Sequence, residues 1–266
     1  MRLAIALAGS AMLPALALGL GAAQLGCAPP AAGPAVAPAA LEPPSGAVWR
    51  EERRAFARLR AEYEPARTYT MDVTLELTEP YTGQHVRSRG AVAVSPSAQA
   101  LRMILLGPGG TTALDLWVCR DRFRLLLPAA DLRRRGDAST PPSELRGMPV
   151  EFLRWWLLRP LDGQLLCVLD EPPGRRYLLR DGDAVVDLRA GTGSRLELER
   201  RSPRDRERVD AAGPGCASVR YQQASTGIDI AVRCEKLDPN RTPAAEAFAD
   251  PDDPTASCGA AEGAKP

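Results

Sequence analysis

The stretch Tyr69 to Leu77, which reads YTMDVTLEL, decides the fold class of this chain. Its apolar residues occupy every second position, and Thr, Asp and Glu fill the positions between them. In a β-strand, successive side chains point to opposite faces. The two-residue repeat therefore predicts a strand with one apolar and one polar face.

Short segments of the same kind recur along the chain, separated by turns rich in Pro, Gly, Ser and Asp. We predict further strands at residues 85–94, 101–106, 111–119, 123–127, 164–169, 175–179, 184–188, 194–199, 218–222 and 228–232. Apolar residues at helical spacing predict one helix from Ser45 to about Tyr63 and a second from Pro149 to Pro160.

The pattern favours a mainly β fold with some α, in which about ten or eleven antiparallel strands curl into a barrel or half-barrel and helices cover its apolar concave face. Such an interior is either filled by side chains or holds a ligand, and periodicity does not decide between these alternatives. The basic runs 133–135 and 200–208 are interpreted as solvated loops, with binding of phospholipid headgroups or lipopolysaccharide as the alternative.

The composition argues against several classes of function. Thirty-four basic and thirty-three acidic residues leave a formal charge of +1, which gives no field for attracting nucleic acid. One histidine in 266 residues makes His-based metal sites and Ser-His or Cys-His catalysis hard to build. We therefore predict no enzyme, catalytic residue, metal or cofactor.

The N-terminus predicts export and a lipid anchor. Residues 1–26 have the basic start and apolar run of a signal peptide. They end in Ala-Gln-Leu-Gly before Cys27, which resembles a bacterial lipobox and implies lipidation of Cys27. The alternative is ordinary signal cleavage, with Cys27 as a spare thiol. Ala28 after the cysteine implies the outer membrane, with the protein facing the periplasm.

These observations divide the chain into four parts. The signal peptide covers residues 1–26 and a Pro/Ala-rich tether covers residues 27–45. Residues 46–249 form the predicted half-barrel domain, and residues 250–266 form a tail predicted to be disordered.

Two motifs resemble the LolA/LolB family over roughly residues 68–169. The first is LRMILLGPGGTTALDL at residues 101–116, and the second is Gly-Met-Pro-Val at 147–150 followed by Leu-Arg-x-Trp-x-Leu at 153–158. The resemblance implies an unclosed antiparallel β-barrel covered by helices, whose interior takes acyl chains of lipoproteins or lipid. It further implies a LolA-like periplasmic carrier as partner and LolB-like acceptance and insertion of lipoproteins at the outer membrane, by a monomer.

The resemblance also implies positions for the site. The candidates for the cavity lining are Tyr69, Met71, Val73, Leu75, Met103, Leu105, Leu116, Phe152 and Trp156, and plain core packing is an equal alternative for each. The membrane-facing loop would be Gly107, Pro108, Gly109 and Gly110. Gly109 stands where LolB has an exposed leucine, so the delivery step lacks its apolar side chain. The alternative function is a non-catalytic envelope scaffold with a filled interior.

Five cysteines follow Cys27, so at least one of them has no partner within the chain. Cys216 and Cys234 are candidates for a disulfide, because they stand opposite each other if the turn between their strands centres on Ser225. The apolar residues of those strands favour a register shifted by one residue, and a bulge would reconcile the two. Cys119 with Cys167 is a weaker alternative.

Overall fold

The computed structural model describes residues 46–65, 67–78, 83, 85–171, 174–238 and 241–258. The predicted signal peptide, the lipidation site Cys27 and the tether lie outside the described residues and stay predictions.

Two helices and fifteen strands make up the described part. Helix α1 spans Gly46–Tyr63 and α2 spans Val150–Leu158. The strands are β1 (Tyr69–Thr78), β2 (His85–Ser95), β3 (Ala100–Leu106), β4 (Thr112–Cys119), β5 (Arg122–Leu127), β6 (Leu132–Asp137), β7 (Gln164–Glu171), β8 (Gly174–Asp181), β9 (Ala184–Ala190), β10 (Leu196–Arg201), β11 (Arg206–Ala211), β12 (Ser218–Gln223), β13 (Asp229–Asp238), β14 (Ala249–Asp250) and β15 (Asp253–Ser257).

Thirteen of the described strands form one antiparallel sheet in the order β6-β5-β4-β3-β2-β1-β13-β12-β11-β10-β9-β8-β7. Strands β6 and β7 are its two outer strands and are not hydrogen-bonded to each other, so the barrel is unclosed. This confirms the predicted fold class. All eleven predicted strands coincide with strands of the sheet, and β6 and β11 are additional.

The alternation of Tyr69–Leu77 holds in part, since Thr74 of the predicted polar face is also buried. Met71, Val73 and Leu75 are buried in the main core, whereas Asp72 between them is exposed. On the neighbouring strand, Gly90 meets the β3 backbone so closely that a Cβ atom would lie 1.9 Å from the carbonyl oxygen of Ile104. A residue with a side chain would therefore push β2 and β3 apart.

Both helices pack against the apolar face of the sheet through aromatic side chains. Phe56 of α1 lies 5.3 Å from the ring of Tyr177 on β8. Phe152 of α2 stacks on Tyr221 of β12 at 4.2 Å. Tyr63 and Trp156 bring the two helices into edge-to-face contact at 6.4 Å. Large buried aromatic rings of this kind supply much of the apolar area that holds a helix on a sheet.

The interpretation of the two basic runs as loops is wrong. The first run belongs to β6, which pairs with β5 at the edge of the sheet. The second covers the end of β10 and the start of β11, which pair with each other. Strand β6 carries Arg133, Arg134 and Arg135 in succession, so neither face shows the apolar alternation that marks a strand. Charged residues are typical of edge strands, where they discourage pairing with other chains.

The predicted disordered tail is also wrong for residues 250–258. Residues 245–258, here called the C-terminal strap, form a 3-10 turn and the small β14–β15 hairpin. A disulfide joins Cys258 to Cys119 at the end of β4, and we call it the strap disulfide. The indole nitrogen of Trp117 donates to the carbonyl of Phe248 at 3.0 Å. These long-range contacts order a segment whose composition predicts disorder. Residues 259–266 lie outside the described residues.

The structure also contains the Cys216–Cys234 disulfide, here called the hairpin disulfide. The β12–β13 register is shifted by one residue from the one that opposes the two cysteines, but in the direction opposite to the predicted shift, which would set Val219 against Ile230 and Tyr221 against Ile228. In the structure Val219 lies opposite Val232 and Tyr221 opposite Ile230. This register keeps all four apolar side chains buried. The cysteines need not be opposed, since Cys216 precedes the first residue of β12. Cys119 pairs with the strap instead of Cys167, and Cys167 is the free cysteine of the described residues.

Candidate ligand-binding groove

A groove of about 1820 Å³ lies between α2 and strands β9 to β12 and extends along the loops at residues 120–121, 129–131 and 138–143. Its floor is apolar because Leu198, Val209 and Tyr221 are direct cross-strand neighbours on β10, β11 and β12. Val186 on β9 extends the floor, and Phe152 of α2 faces it through its stack on Tyr221. The volume exceeds the roughly 300–1,000 Å³ of ordinary small-molecule pockets. The groove is therefore large enough for a long hydrocarbon chain.

The walls around this floor are mixed in character. Further apolar side chains are Leu77, Trp155, Leu158 and Ile228, and charged ones are Arg120, Asp121, Asp131, Arg146, Glu151, Arg154, Arg159, Asp162, Asp181, Arg200, Arg204, Asp205 and Glu207. Six arginines and seven acidic residues nearly cancel. The charge of the groove therefore favours neither a strongly anionic nor a strongly cationic ligand.

A row of paired polar side chains borders the apolar floor. Arg200 of β10 lies directly opposite Glu207 of β11, two residues beyond the row of Leu198 and Val209. Its guanidinium contacts Glu207 at 2.8 Å and Asp181 at 3.1 Å. The hydroxyl of Tyr221 donates to Glu207 at 2.7 Å, and burial, followed by the charge of Glu207, raises the pKa of that hydroxyl. This row marks where the lining of the groove changes from apolar to polar.

Glu151, on the first turn of α2, is a second polar feature of the wall. Burial raises the pKa of its carboxyl group, against the opposing effect of Arg154, whose guanidinium lies 2.6 Å from Oε2. The other oxygen, Oε1, is buried and has no hydrogen-bond partner among the described residues. Only one of the two carboxyl oxygens therefore has a partner that replaces the hydrogen bonds to water lost on burial.

The predicted lining residues lie mostly elsewhere. Six of them are buried in the packed core, namely Met71, Val73, Leu75, Met103, Leu105 and Leu116. Tyr69 and Trp156 are partly buried against that core, and Phe152 is the one predicted lining residue that also lines the groove. Side chains of α1 and α2 share this core, and the groove-floor residues Val186, Leu198, Val209 and Tyr221 belong to it as well, each 2–4% exposed. The groove lies in the other half of the sheet, beside β9 to β12.

The sequence analysis missed Val186, Leu198, Val209 and Tyr221 as site residues. The family resemblance ends near residue 169, before any of them. A signal was nevertheless present, because apolar residues alternate in Ala184–Leu188 and Val219 and Tyr221 are spaced by two. That signal identifies the apolar face, but a search for lining residues must consider both halves of the sheet.

The loop at residues 107–110 connects β3 to β4 and is not part of the groove lining. The amide of Gly107 donates to the carbonyl of Thr111 at 2.8 Å, which closes the turn. Gly109 and Gly110 have φ angles of 72° and 77°, a region that glycine adopts without strain. Leu106, immediately before the loop, is 46% exposed. An exposed apolar side chain thus lies three residues before Gly109 in the chain, at the end of β3 and not at the loop tip.

Two features are absent from the described residues, a metal-type cluster and a membrane-spanning helix. No group of three or more His, Cys, Asp or Glu side chains has the arrangement of a metal site. Neither described helix has the length and apolar character needed to cross a bilayer.

Comparison with known proteins places the fold. No protein-family model and no curated protein sequence matches the chain. Among solved structures, a LolA superfamily protein from Nitrosomonas europaea matches with a TM-score of 0.51 and 12% identity, over 71% of this chain and 94% of that one. Two weaker similarities follow. An outer membrane lipoprotein-sorting protein domain from Vibrio parahaemolyticus has a TM-score of 0.42 and 10% identity, over 70% and 90% of the two chains. A DUF1329 family protein from Desulfovibrio piger has a TM-score of 0.49 and 10% identity, over 75% and 96%. The chain therefore has the unclosed, helix-covered antiparallel barrel of the LolA/LolB type.

Proposed function

We propose that this protein binds acyl chains, either of lipidated proteins or of lipid, in the groove between α2 and strands β9 to β12. The observation that carries the proposal is a large groove whose floor is a continuous apolar row, Leu198, Val209 and Tyr221, on a sheet of LolA type. Binding is the proposed activity, and no covalent step is part of it.

Physical chemistry makes hydrocarbon a suitable occupant. Each methylene group moved out of water contributes about 0.8 kcal/mol, so a 16-carbon chain would gain on the order of 10 kcal/mol. The row of Arg200, Glu207 and Asp181 already pairs its own charges. A neutral or amide-linked end of the ligand would suit that row better than a second strong charge would.

The cellular role we propose is that of an acceptor anchored through Cys27 and facing the periplasm from the outer membrane. The sequence supports it through the lipobox-like run before Cys27 and through Ala28. In this role the protein receives the acyl chains from a LolA-like carrier and passes them to the membrane, as LolB does. The loop at 107–110 would face the membrane, and Leu106 is the exposed apolar side chain nearest to it.

A second candidate is a non-catalytic scaffold, and one observation favours it. The half of the interior beside β1 to β5 is filled by its own core residues, including Met103 and Leu116. If the groove beside β9 to β12 also binds no ligand, the protein acts through the contacts that its surface makes with partner proteins.

Two adjacent valines offer a test with a matched control. Val186 is buried in the groove floor, and Val185 is 46% exposed on the opposite face of β9. Val186→Trp should weaken binding of a fluorescent 16-carbon fatty-acid analogue at least tenfold, because the indole occupies the floor. Val185→Trp should bind like the unchanged protein. Thermal unfolding of both variants checks that they are folded.

Because a buried tryptophan can destabilise the sheet, Leu77→Glu provides an independent block. Leu77 lies at the groove and is partly buried, so a glutamate there can reach water while it repels the hydrocarbon chain. Weaker binding by this variant supports the proposal. No binding of the probe to the unchanged protein, or equal binding by all four proteins, would overturn it in favour of the scaffold. Delivery is then measured separately, as transfer of a triacylated lipopeptide into vesicles.

A further inference from the structure

Helix α1 carries a stripe of four arginines on the side that faces away from the sheet. Its opposite side packs inward, with Phe56 against Tyr177 at 5.3 Å and Glu52 paired with Arg175 at 3.0 Å. The hydroxyl of Tyr63 also donates to the carbonyl of Ser194. These contacts fix which face of the helix is turned to solvent.

The arginine stripe consists of Arg50, Arg53, Arg54 and Arg58, all of which are exposed. Positions three and four apart lie on one face of a helix, so the four guanidinium groups share one surface. Ala57 and Ala61 are the residues between them on that face. Because alanine is short, no bulky side chain holds a flat partner away from the arginines.

The charges of the arginine stripe are not neutralised within the described part of the chain. None of its four members has an ion-pair partner there, whereas Arg60 pairs with Glu64 and lies 3.1 Å from Asp162. Glu52, the acidic residue of the inward face, is taken by Arg175. Glu51 and Glu62 are also exposed and border the stripe, so its four positive charges stand against two negative ones. The outer side of α1 thus keeps an excess of two positive charges on a protein whose formal net charge is +1.

We propose that the arginine stripe docks α1 on an anionic membrane surface. Charge complementarity supports this occupant, since arginines near a membrane are attracted by anionic headgroups. The position in the chain supports it as well. Eighteen residues, 28–45, separate α1 from Cys27, so α1 is the first described element after the proposed anchor. The docked helix would hold the domain in one orientation on the bilayer, independently of whether the groove binds acyl chains.

The test measures binding of the full chain to vesicles, with Cys27→Ser so that no acyl anchor contributes. Vesicles contain either phosphatidylcholine alone or phosphatidylcholine with about one third phosphatidylglycerol. Each arginine near an anionic surface contributes about fivefold to affinity. The combined variant Arg50→Gln, Arg54→Gln and Arg58→Gln should therefore bind anionic vesicles roughly 100-fold more weakly.

A matched control removes three exposed arginines from separate strands, Arg122, Arg180 and Arg208, each to Gln. It changes the net charge equally and should keep the preference for anionic vesicles. High salt should abolish that preference, because the Debye length falls from about 10 Å at 0.1 M to about 3 Å at 1 M ionic strength and exposed charges farther apart than this are screened. Equal losses of vesicle binding in the two variants would overturn the proposal. Equal binding of the unchanged stripe to both kinds of vesicle would overturn it too. So would a triple variant that keeps its binding to anionic vesicles and loses binding to an acidic protein.

Discussion

Removal of Asp115 tests how the outer face of the sheet is held together. The carboxylate of Asp115 on β4 accepts hydrogen bonds from Arg102 on β3 at 2.8 Å and from Arg124 on β5 at 2.7 Å. Asp115 and Arg124 are buried and Arg102 is partly buried, with 11%, 8% and 16% of their side-chain surfaces exposed. Asp115→Ala therefore leaves two guanidinium groups in a place that water hardly reaches.

Breaking a buried ion pair in this way typically costs about 3–5 kcal/mol. We expect the lower end, about 3 kcal/mol, because Arg124 keeps a second carboxylate, Asp252 of the C-terminal strap, at 3.3 Å. The assay is urea unfolding followed by tryptophan fluorescence, in which an unchanged slope lets the midpoint report the free energy of unfolding.

The matched control is Asp210→Ala, which removes the partner of Arg208 from an exposed pair. Arg208 is 57% exposed, so this loss should stay below about 1 kcal/mol. Equal losses for Asp115→Ala and Asp210→Ala would refute the reasoning, because burial would then have no effect. A loss below about 1 kcal/mol for Asp115→Ala alone would refute it too.

Three further expectations follow from the strap and the loop. The strap disulfide closes a separation of 139 residues and the hairpin disulfide one of 18. Replacing each cysteine pair by alanine should therefore lower the free energy of unfolding by about 5 and about 3 kcal/mol, because a longer closed loop restricts the unfolded chain more. Denaturant unfolding should rank the two variants in that order. The hydrogen bond from Arg135 holds the pKa of Asp250 below its ordinary value of 3.8. The Asp250 carboxylate therefore contributes its full stabilisation well above pH 3.8. That stabilisation is lost as the pH falls through the lower pKa that Asp250 has in the folded state. Asp250→Asn should flatten the acid limb of the stability profile, and an unchanged acid limb would contradict this. Gly109→Leu should increase lipopeptide delivery to vesicles while lowering the thermal midpoint, because its φ of 72° strains a leucine; unchanged transfer would show that the loop is not limiting.

The sequence predicted the fold class because the deciding signal is local. Alternation in Tyr69–Leu77 is enough to recognise β1 as a strand, and the same signal recurs in the other predicted strands. Strand β6 was not predicted, because Arg133, Arg134 and Arg135 occupy both of its faces. What makes it a strand is pairing with β5, which a periodicity in one segment does not show.

The candidate site was harder to predict for a related reason. Alternation identifies Met103 and Val209 equally well as residues of an apolar face, and both are indeed buried. Whether the space above each is filled by a helix or left as a groove depends on where α1 and α2 lie. That placement rests on contacts such as Phe152 with Tyr221, which are 69 positions apart in the chain.

The C-terminal strap shows the same limit. Residues 250–258 have the composition of a flexible tail, and nothing nearby in sequence orders them. Their partners are Cys119 and Arg135, more than one hundred positions away. Only the folded sheet brings these partners together.

The pairing of β1 with β13 has a consequence for how the chain assembles. Every other neighbouring pair in the large sheet joins strands that follow each other in sequence, so β1 to β6 and β7 to β13 are two local meanders. The β1–β13 seam joins Thr70 to Asp238 and its neighbours, across most of the domain. Closing so long a loop is entropically slow. We expect each meander to form early and the seam to set the folding rate, so substitutions along the seam should retard folding more than equally destabilising ones near β6 or β7.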